Sequence, residues 1–152
     1  MKQSAGILLY RQGNNQTEFF LAHPGGPFFK NKNEGVWTIP KGEIDEGEEP
    51  LNAAVREFEE EVGYTPSPPF TALQAITQKG GKKVFCWAAK GDADPEALKS
   101  NIFIMEWPPK SGKMAEFPEV DKAGWFTLDE AQKLINPAQV PLLEELISML
   151  TI

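Results

Sequence analysis

Four glutamates fall within five residues, Glu57, Glu59, Glu60 and Glu61, inside the acidic stretch GEIDEGEEPLNAAVREFEEEVGY that runs from 42 to 64. Like charges this close repel one another on a helix surface. On a helical wheel of roughly 100° per residue, Leu51, Val55, Phe58 and Val62 form one apolar stripe. Glu57, Glu60 and Glu61 share a separate arc that begins at the edge of this stripe, and Glu59 falls on its other side. Arg56, four residues before Glu60, leans on the cluster but cannot neutralise three carboxylates. Convergent oxygen ligands suit hard cations, Mg²⁺ or Mn²⁺ above all. Mg²⁺ commonly keeps several waters and shares its shell with substrate phosphates. The plain alternative is a solvated acidic face on a surface helix.

The residues ahead of the helix favour the metal reading. Gly42 and Gly47 bracket a tight loop ending at Glu48, and such a loop can present a backbone carbonyl to a cation. Written by spacing, the stretch is Gly42, five residues, Glu48, seven residues, then Arg56-Glu57-Phe58-Glu59-Glu60-Glu61-Val62-Gly63-Tyr64. This resembles the Nudix box, G-x5-E-x7-R-E-U-x-E-E-x-G-U, with U a bulky apolar residue. Every fixed position matches, and Phe58 and Tyr64 are aromatic where aliphatic residues are commoner.

The resemblance implies an α/β fold, the Nudix-type α/β/α sandwich with a mixed β-sheet. It also implies hydrolysis of a nucleoside diphosphate linked to another group. By position, Glu57, Glu60 and Glu61 resemble the metal ligands, with the Lys41 backbone carbonyl as a further one. Arg56 and Glu48 resemble an orienting ion pair. The general base of such enzymes is a box glutamate, such as Glu60, or a glutamate on a downstream loop. Here Glu116 and Glu119 are the downstream candidates, and Glu119, six residues before Trp125, is the better match.

Substrate choice lies outside the box. The W-x-x-P-K-G form of GVWTIPKG resembles the branch that cleaves dinucleoside polyphosphates such as diadenosine tetraphosphate. In that branch Lys41 would touch phosphate, with Gly42 beside it. Lys79, Lys82 and Lys83 are further point charges for a phosphate chain, although they also suit a charged turn. His23, the only histidine, is a candidate for phosphate or base contact. Phe28, Phe29, Trp37, Tyr64 and Trp87 are candidates for base stacking, although most aromatics in so small a domain are core. The competing functions are a house-cleaning nucleoside triphosphate pyrophosphohydrolase, a capped-RNA pyrophosphohydrolase, a catalytically silent nucleotide sensor and an acidic cation-binding protein. Complete retention of the box glutamates argues against the sensor.

These residues need a scaffold, and the chain is long enough to build one. Its 152 residues, 41% apolar and 24% charged, fit a single domain over 1–152 with its own core. The pattern predicts strands at 4–10, 18–23, 36–40, 71–78, 82–89 and 101–107, and one that starts near 123. Pro50 as a first-turn proline and Gly63 as a C-terminal cap predict a helix over 50–62. Thr127 with Glu130 reads as a capping box opening a helix to about Ile135. Asn136-Pro137 opens another, to about Leu150. The segment GDADPEALKSN reads as a loop with a short helical turn.

A net charge of −7 argues against nucleic acid or an anionic membrane as partner. A small nucleotide remains the expected partner, with the chain a monomer or homodimer. No apolar run approaches a membrane span of roughly 20 residues, and GILLY is too short for a signal peptide, so a cytoplasmic location is expected. The lone Cys86 excludes an internal disulfide and a cysteine-based zinc site. It sits in KVFCWAA as a small buried hydrophobe.

Overall fold

The run SAGILLY is apolar at successive positions, which suits a strand covered on both faces. In the computed structural model, which describes residues 2–150, it forms the centre of the sheet as β1 (Gln3–Gln12), with Ser4 through Leu9 buried. Its side chains alternate between two cores, as the two-residue period of a strand requires. Ile7 and Leu9 face one cluster and Leu8 the other. The next strand, β2 (Thr17–Pro24), splits the same way, with Phe20 on the first side and Phe19 and Leu21 on the second.

Around β1 lies a mixed seven-stranded sheet. β2 pairs antiparallel with one end of β1, with Tyr10 opposite Phe19. The short β3 (Lys41–Glu43) pairs antiparallel with the other end, with Ala5 opposite Gly42. β4 (Thr71–Ala72) and β5 (Ile76–Gln78) both run antiparallel to β6 (Lys82–Lys90), which is parallel to β1. β7 (Ile102–Glu106) and β8 (Met114–Pro118) form a separate two-stranded sheet. β9 (Val120–Thr127) closes the main sheet against β2.

Helix α1 (Pro50–Val62) covers the Ile7, Leu9 and Phe20 side through Ala53, Ala54, Phe58 and Val62. Helices α2 (Leu128–Leu134) and α3 (Val140–Leu150) cover the other side through Ala131, Leu142, Leu143 and Leu146. This is the expected α/β/α sandwich with a mixed sheet. The bounds of α1 match the expected 50–62. Its cap is Gly63 at φ 80, whose N–H donates to the Glu59 carbonyl. The Thr127–Glu130 capping box opens α2 as expected.

Three segments differ from the sequence reading. Residues 36–40 form no strand. Trp37 and Thr38 make single bridges to Ile135 and Ala22, and the Ile39 N–H donates to the Gln139 side chain instead of a strand. Pro40 has no N–H to offer, so regular pairing starts only at Lys41. The expected strand over 71–78 is broken between β4 and β5. β8 was not expected, because MAEFP carries a charge and a proline that mask its pairing with β7. A short 3₁₀ turn, Pro95–Ala97, lies in the expected loop.

Candidate active site

Arg56 is the hub of the acidic cluster. Its Nε and Nη2 grip Glu48 in a two-point contact, at 2.8 Å to Oε2 and 2.9 Å to Oε1. Its Nη1 reaches Glu57 Oε1 at 2.8 Å and Glu60 Oε2 at 3.2 Å, and Nη2 also donates to the Glu43 carbonyl at 3.1 Å. The fork of a guanidinium suits such multiple gripping where an ammonium would not. One side chain thereby ties the loop at 43–48 to α1. The Arg56 guanidinium, with the Asp45 N–H, pulls the Glu48 carboxyl down to about 2.

Toward the sheet the charges become buried. Glu61 is 8% exposed, at the sheet-facing edge of the arc that the wheel assigned to it. Burial, together with the charges of Glu57 and Glu119, pushes its carboxyl up to about 8, against the pull of the Lys41 ammonium and N–H. Glu57 is also raised, by burial first, with Arg56 opposing and the charges of Glu60 and Glu119 adding. Glu119 is raised by partial burial and by Glu60. Lys41 is lowered by burial and by Lys82, with Glu61 and Glu57 opposing. Glu59 is exposed, as the wheel implied.

Gly42 is set by close approach. A Cβ at this position would collide with the Glu57 carboxylate, which packs directly against the glycine. Only glycine leaves that space on β3.

Glu119 reaches the cluster by a route invisible in the sequence. The Asn101 N–H donates to the Glu60 carbonyl at 3.1 Å, and the Glu119 N–H donates to the Asn101 carbonyl at 2.8 Å. The β7–β8 hairpin is therefore stitched to the C-terminal half of α1, and the step from β8 to β9 brings Glu119 within electrostatic reach of Glu60. Glu116 pairs with Ile104 inside the hairpin and is exposed.

The oxygen-only donor set and the space kept by Gly42 fit a divalent cation. As placed, Glu57 and Glu60 lean on Arg56, and among the described residues no three acidic, histidine or cysteine side chains already form a closed cation site. Glu57, Glu60 and Glu61 are the carboxylates that would hold such a cation, and Arg56 is also engaged by Glu48 in a two-point contact.

Two expected substrate contacts are not brought to the cluster. His23 is fully buried. Its Nε2–H donates to the Lys32 carbonyl at 2.7 Å, and its Nδ1 lies 2.7 Å from Asp121 Oδ1, so both ring nitrogens are taken up by protein partners. Lys82 sits close enough to Lys41 to influence it, but Lys83, the next residue on the strand, points to the opposite face. There its Nζ lies 4.8 Å from the Phe85 ring centroid. Among the stacking candidates, Trp37 is buried and donates to Asn33, and Tyr64 packs on Phe58. Sequence reasoning gave no signal for Gln139. It is fully buried, accepts from the Ile39 N–H and donates to Thr38 and Gln78, which anchors the segment leading into Lys41.

A cavity of about 340 Å³ is lined by the loop from Glu43 to Glu48 with Lys2 and Gln3, and two others lie near the loop that follows β2. One of about 460 Å³ lies between the 26–31 loop and the β7–β8 hairpin and reaches Pro118, next to Glu119. Another of about 230 Å³ includes Lys41, Gln78 and Gln139. The loop from Pro24 onward supplies walls to both.

A family model described as NUDIX domain matches residues 2–146. The chain is 31% identical over 130 residues to an RNA pyrophosphohydrolase of Brucella anthropi, covering 74% of this chain and 68% of that relative. It is 33% identical over 88 residues to an 8-oxo-(d)GTP phosphatase of Mycolicibacterium smegmatis, covering 56% of this chain and 27% of that one. Its structure resembles the crystal structure of a C. elegans Ap4A hydrolase binary complex. The TM-score is 0.68 at 25% identity, with 97% of each chain covered.

Proposed function

The chain belongs to the NUDIX domain family, and from that premise we propose that it cleaves dinucleoside polyphosphates, the class that includes diadenosine tetraphosphate. At the coarser level it is a pyrophosphohydrolase acting on nucleotide diphosphate linkages, in a family that generally uses divalent metal ions. The observation that supports the finer reading is a pair of separate cavities, one lined by Pro118, the chain neighbour of Glu119, and the other by Lys41. A substrate with a nucleoside at each end of a phosphate chain fits two cavities better than one.

We assign Glu57, Glu60, Glu61 and the Lys41 carbonyl to the cation, with Mg²⁺ or Mn²⁺ the fitting ions. A divalent ion held there would neutralise the phosphates and lower the pKa of a water. Burial and the charge of Glu60 raise the Glu119 carboxyl above its ordinary value, and in this reading it removes the proton from the attacking water. The Lys41 ammonium, with Lys82 behind it, holds the phosphate chain. Arg56, fixed by Glu48, sets the position of α1 relative to the loop at 43–48. The domain spans the whole chain and works in the cytoplasm. No helix among the described residues is long and apolar enough to cross a membrane.

A second reading, removal of pyrophosphate from RNA 5′ ends, is favoured by the name of the Brucella relative. The net charge of −7 opposes it. A panel assay separates the two. Diadenosine tetraphosphate, diguanosine tetraphosphate, ATP, GTP and a 5′-triphosphorylated RNA are each incubated with enzyme and Mg²⁺, and products are resolved by ion exchange. The proposal expects a mononucleoside tri- and monophosphate from the dinucleotides, at far higher kcat/KM than for the others. Preferred cleavage of the RNA would overturn it.

A further inference from the structure

The larger cavity is lined on one side by Trp107 and Phe117 and on the other by Lys30, Asn31 and Asp121. We infer that it is the base subsite for one end of the substrate and that it selects guanine over adenine. This rests on the proposed function and deepens it by naming the base.

The aromatic wall supplies stacking. Trp107 is held edge-on by Phe28 at 5.6 Å between ring centroids, and Phe117 packs on Phe103 at 5.9 Å with the rings tilted by 39°. Stacking on such rings is strong but indifferent to the base, because every base has a π-face. Selection must come from the polar wall.

That wall carries an acceptor and a donor. Asp121 is a carboxylate whose Oδ1 is fixed at 2.7 Å by buried His23. Each carboxylate oxygen accepts more than one hydrogen bond, so both remain able to receive donors. The same imidazole holds the Lys32 carbonyl at 2.7 Å and so anchors the loop that presents Lys30. Guanine offers two adjacent donors, N1–H and N2–H₂, which suit a carboxylate. It also offers the O6 and N7 acceptors, which suit a lysine. Adenine has an acceptor at N1 and an amine at C6. It would set N1 against Asp121 and its amine against Lys30, a mismatch at both positions.

The cavity also lies where a base must lie. The Gly25 N–H donates to the Glu119 carbonyl at 2.9 Å, so the wall loop is stitched to the residue beside the carboxylate cluster. A nucleotide seated here has its phosphates directed along Glu119 toward Glu60.

The test uses binding without turnover. GMP and AMP are titrated into the full-length protein in EDTA, followed by tryptophan fluorescence, with Trp107→Phe identifying the reporting ring. GMP should bind at least tenfold more tightly than AMP, the scale of one good two-point base contact. Asp121→Asn should erase that ratio or reverse it, because an amide matches the adenine edge. Since Asp121 also holds His23, Lys30→Met on the exposed loop provides a second variant, and it should cut the ratio several-fold. Equal GMP and AMP affinity in the unmodified protein, or a ratio unmoved by both variants, overturns the inference. Selective GMP binding by a chain that cleaves no dinucleoside polyphosphate would retain the base subsite and remove the proposed function. Equal kcat/KM for diguanosine and diadenosine tetraphosphate, with no GMP preference, would do the reverse.

Discussion

Burial of Glu61 makes the metal-free protein lose stability as pH rises. Its carboxyl ordinarily titrates near 4.5, and the fold pushes it up to about 8. Between those values the unfolded chain has released the proton while the folded chain still holds it. The folded state therefore binds more protons, and stability falls with rising pH. The contribution is fully present below about 4.5 and is gone above about 8. At about 1.4 kcal/mol per pH unit, the window is worth on the order of 5 kcal/mol at its upper limit. Relaxation of the site and entry of water reduce this, and roughly 2–4 kcal/mol is expected, a large share of a typical domain stability of about 5–15 kcal/mol. Glu57 and Glu119 are shifted in the same direction and add to the slope. Urea denaturation in EDTA, followed by tryptophan fluorescence at pH 5 and pH 8, measures it. Glu61→Gln cannot ionise, so the variant should show a much shallower decline and exceed the unmodified protein in stability at pH 8. Mg²⁺ should restore stability far more at pH 8 than at pH 5, because cation and proton compete for the same oxygens. An unmodified protein equally stable at both pH values, or a Glu61→Gln variant with an equally steep decline, would refute the reasoning.

Three further outcomes are expected. Glu60→Gln should lower kcat by about a hundredfold or more with less than about 1 kcal/mol lost in urea denaturation, since this side chain is only partly buried; near-normal turnover would remove Glu60 from the site. Gly42→Ala should weaken divalent-ion affinity by about tenfold or more, read by calorimetry, because the new methyl displaces the Glu57 carboxylate; unchanged affinity would separate Glu57 from the cation. The Cys86 thiol, fully enclosed and pushed up by burial, should resist a thiol reagent in the native protein and react once urea unfolds it; rapid native labelling would contradict its placement in the core.

The parts of this protein that the sequence determined are those governed by local rules. The bounds of α1 follow from Pro50, from Gly63 and from an apolar stripe at helical spacing. The start of α2 follows from two residues three apart, Thr127 and Glu130. That Glu57, Glu60 and Glu61 share one arc of α1 also follows from helical geometry alone, as does the reach of Arg56 to Glu60. The Nudix box could be read for the same reason, since its residues lie within one loop and one helix. Tertiary structure decided what depends on contacts between distant segments. Asn101 and Glu119 are joined to Glu60 by backbone hydrogen bonds that no spacing foretells. Residues 36–40 read as a strand by composition, but a glutamine 100 positions away takes the Ile39 N–H. His23 looked available for substrate until Asp121 and Lys32 enclosed it, and Lys83 until the alternation of β6 turned it to the far face. Burial decides whether a polar side chain meets solvent, substrate or another side chain, and burial is a property of the packed chain.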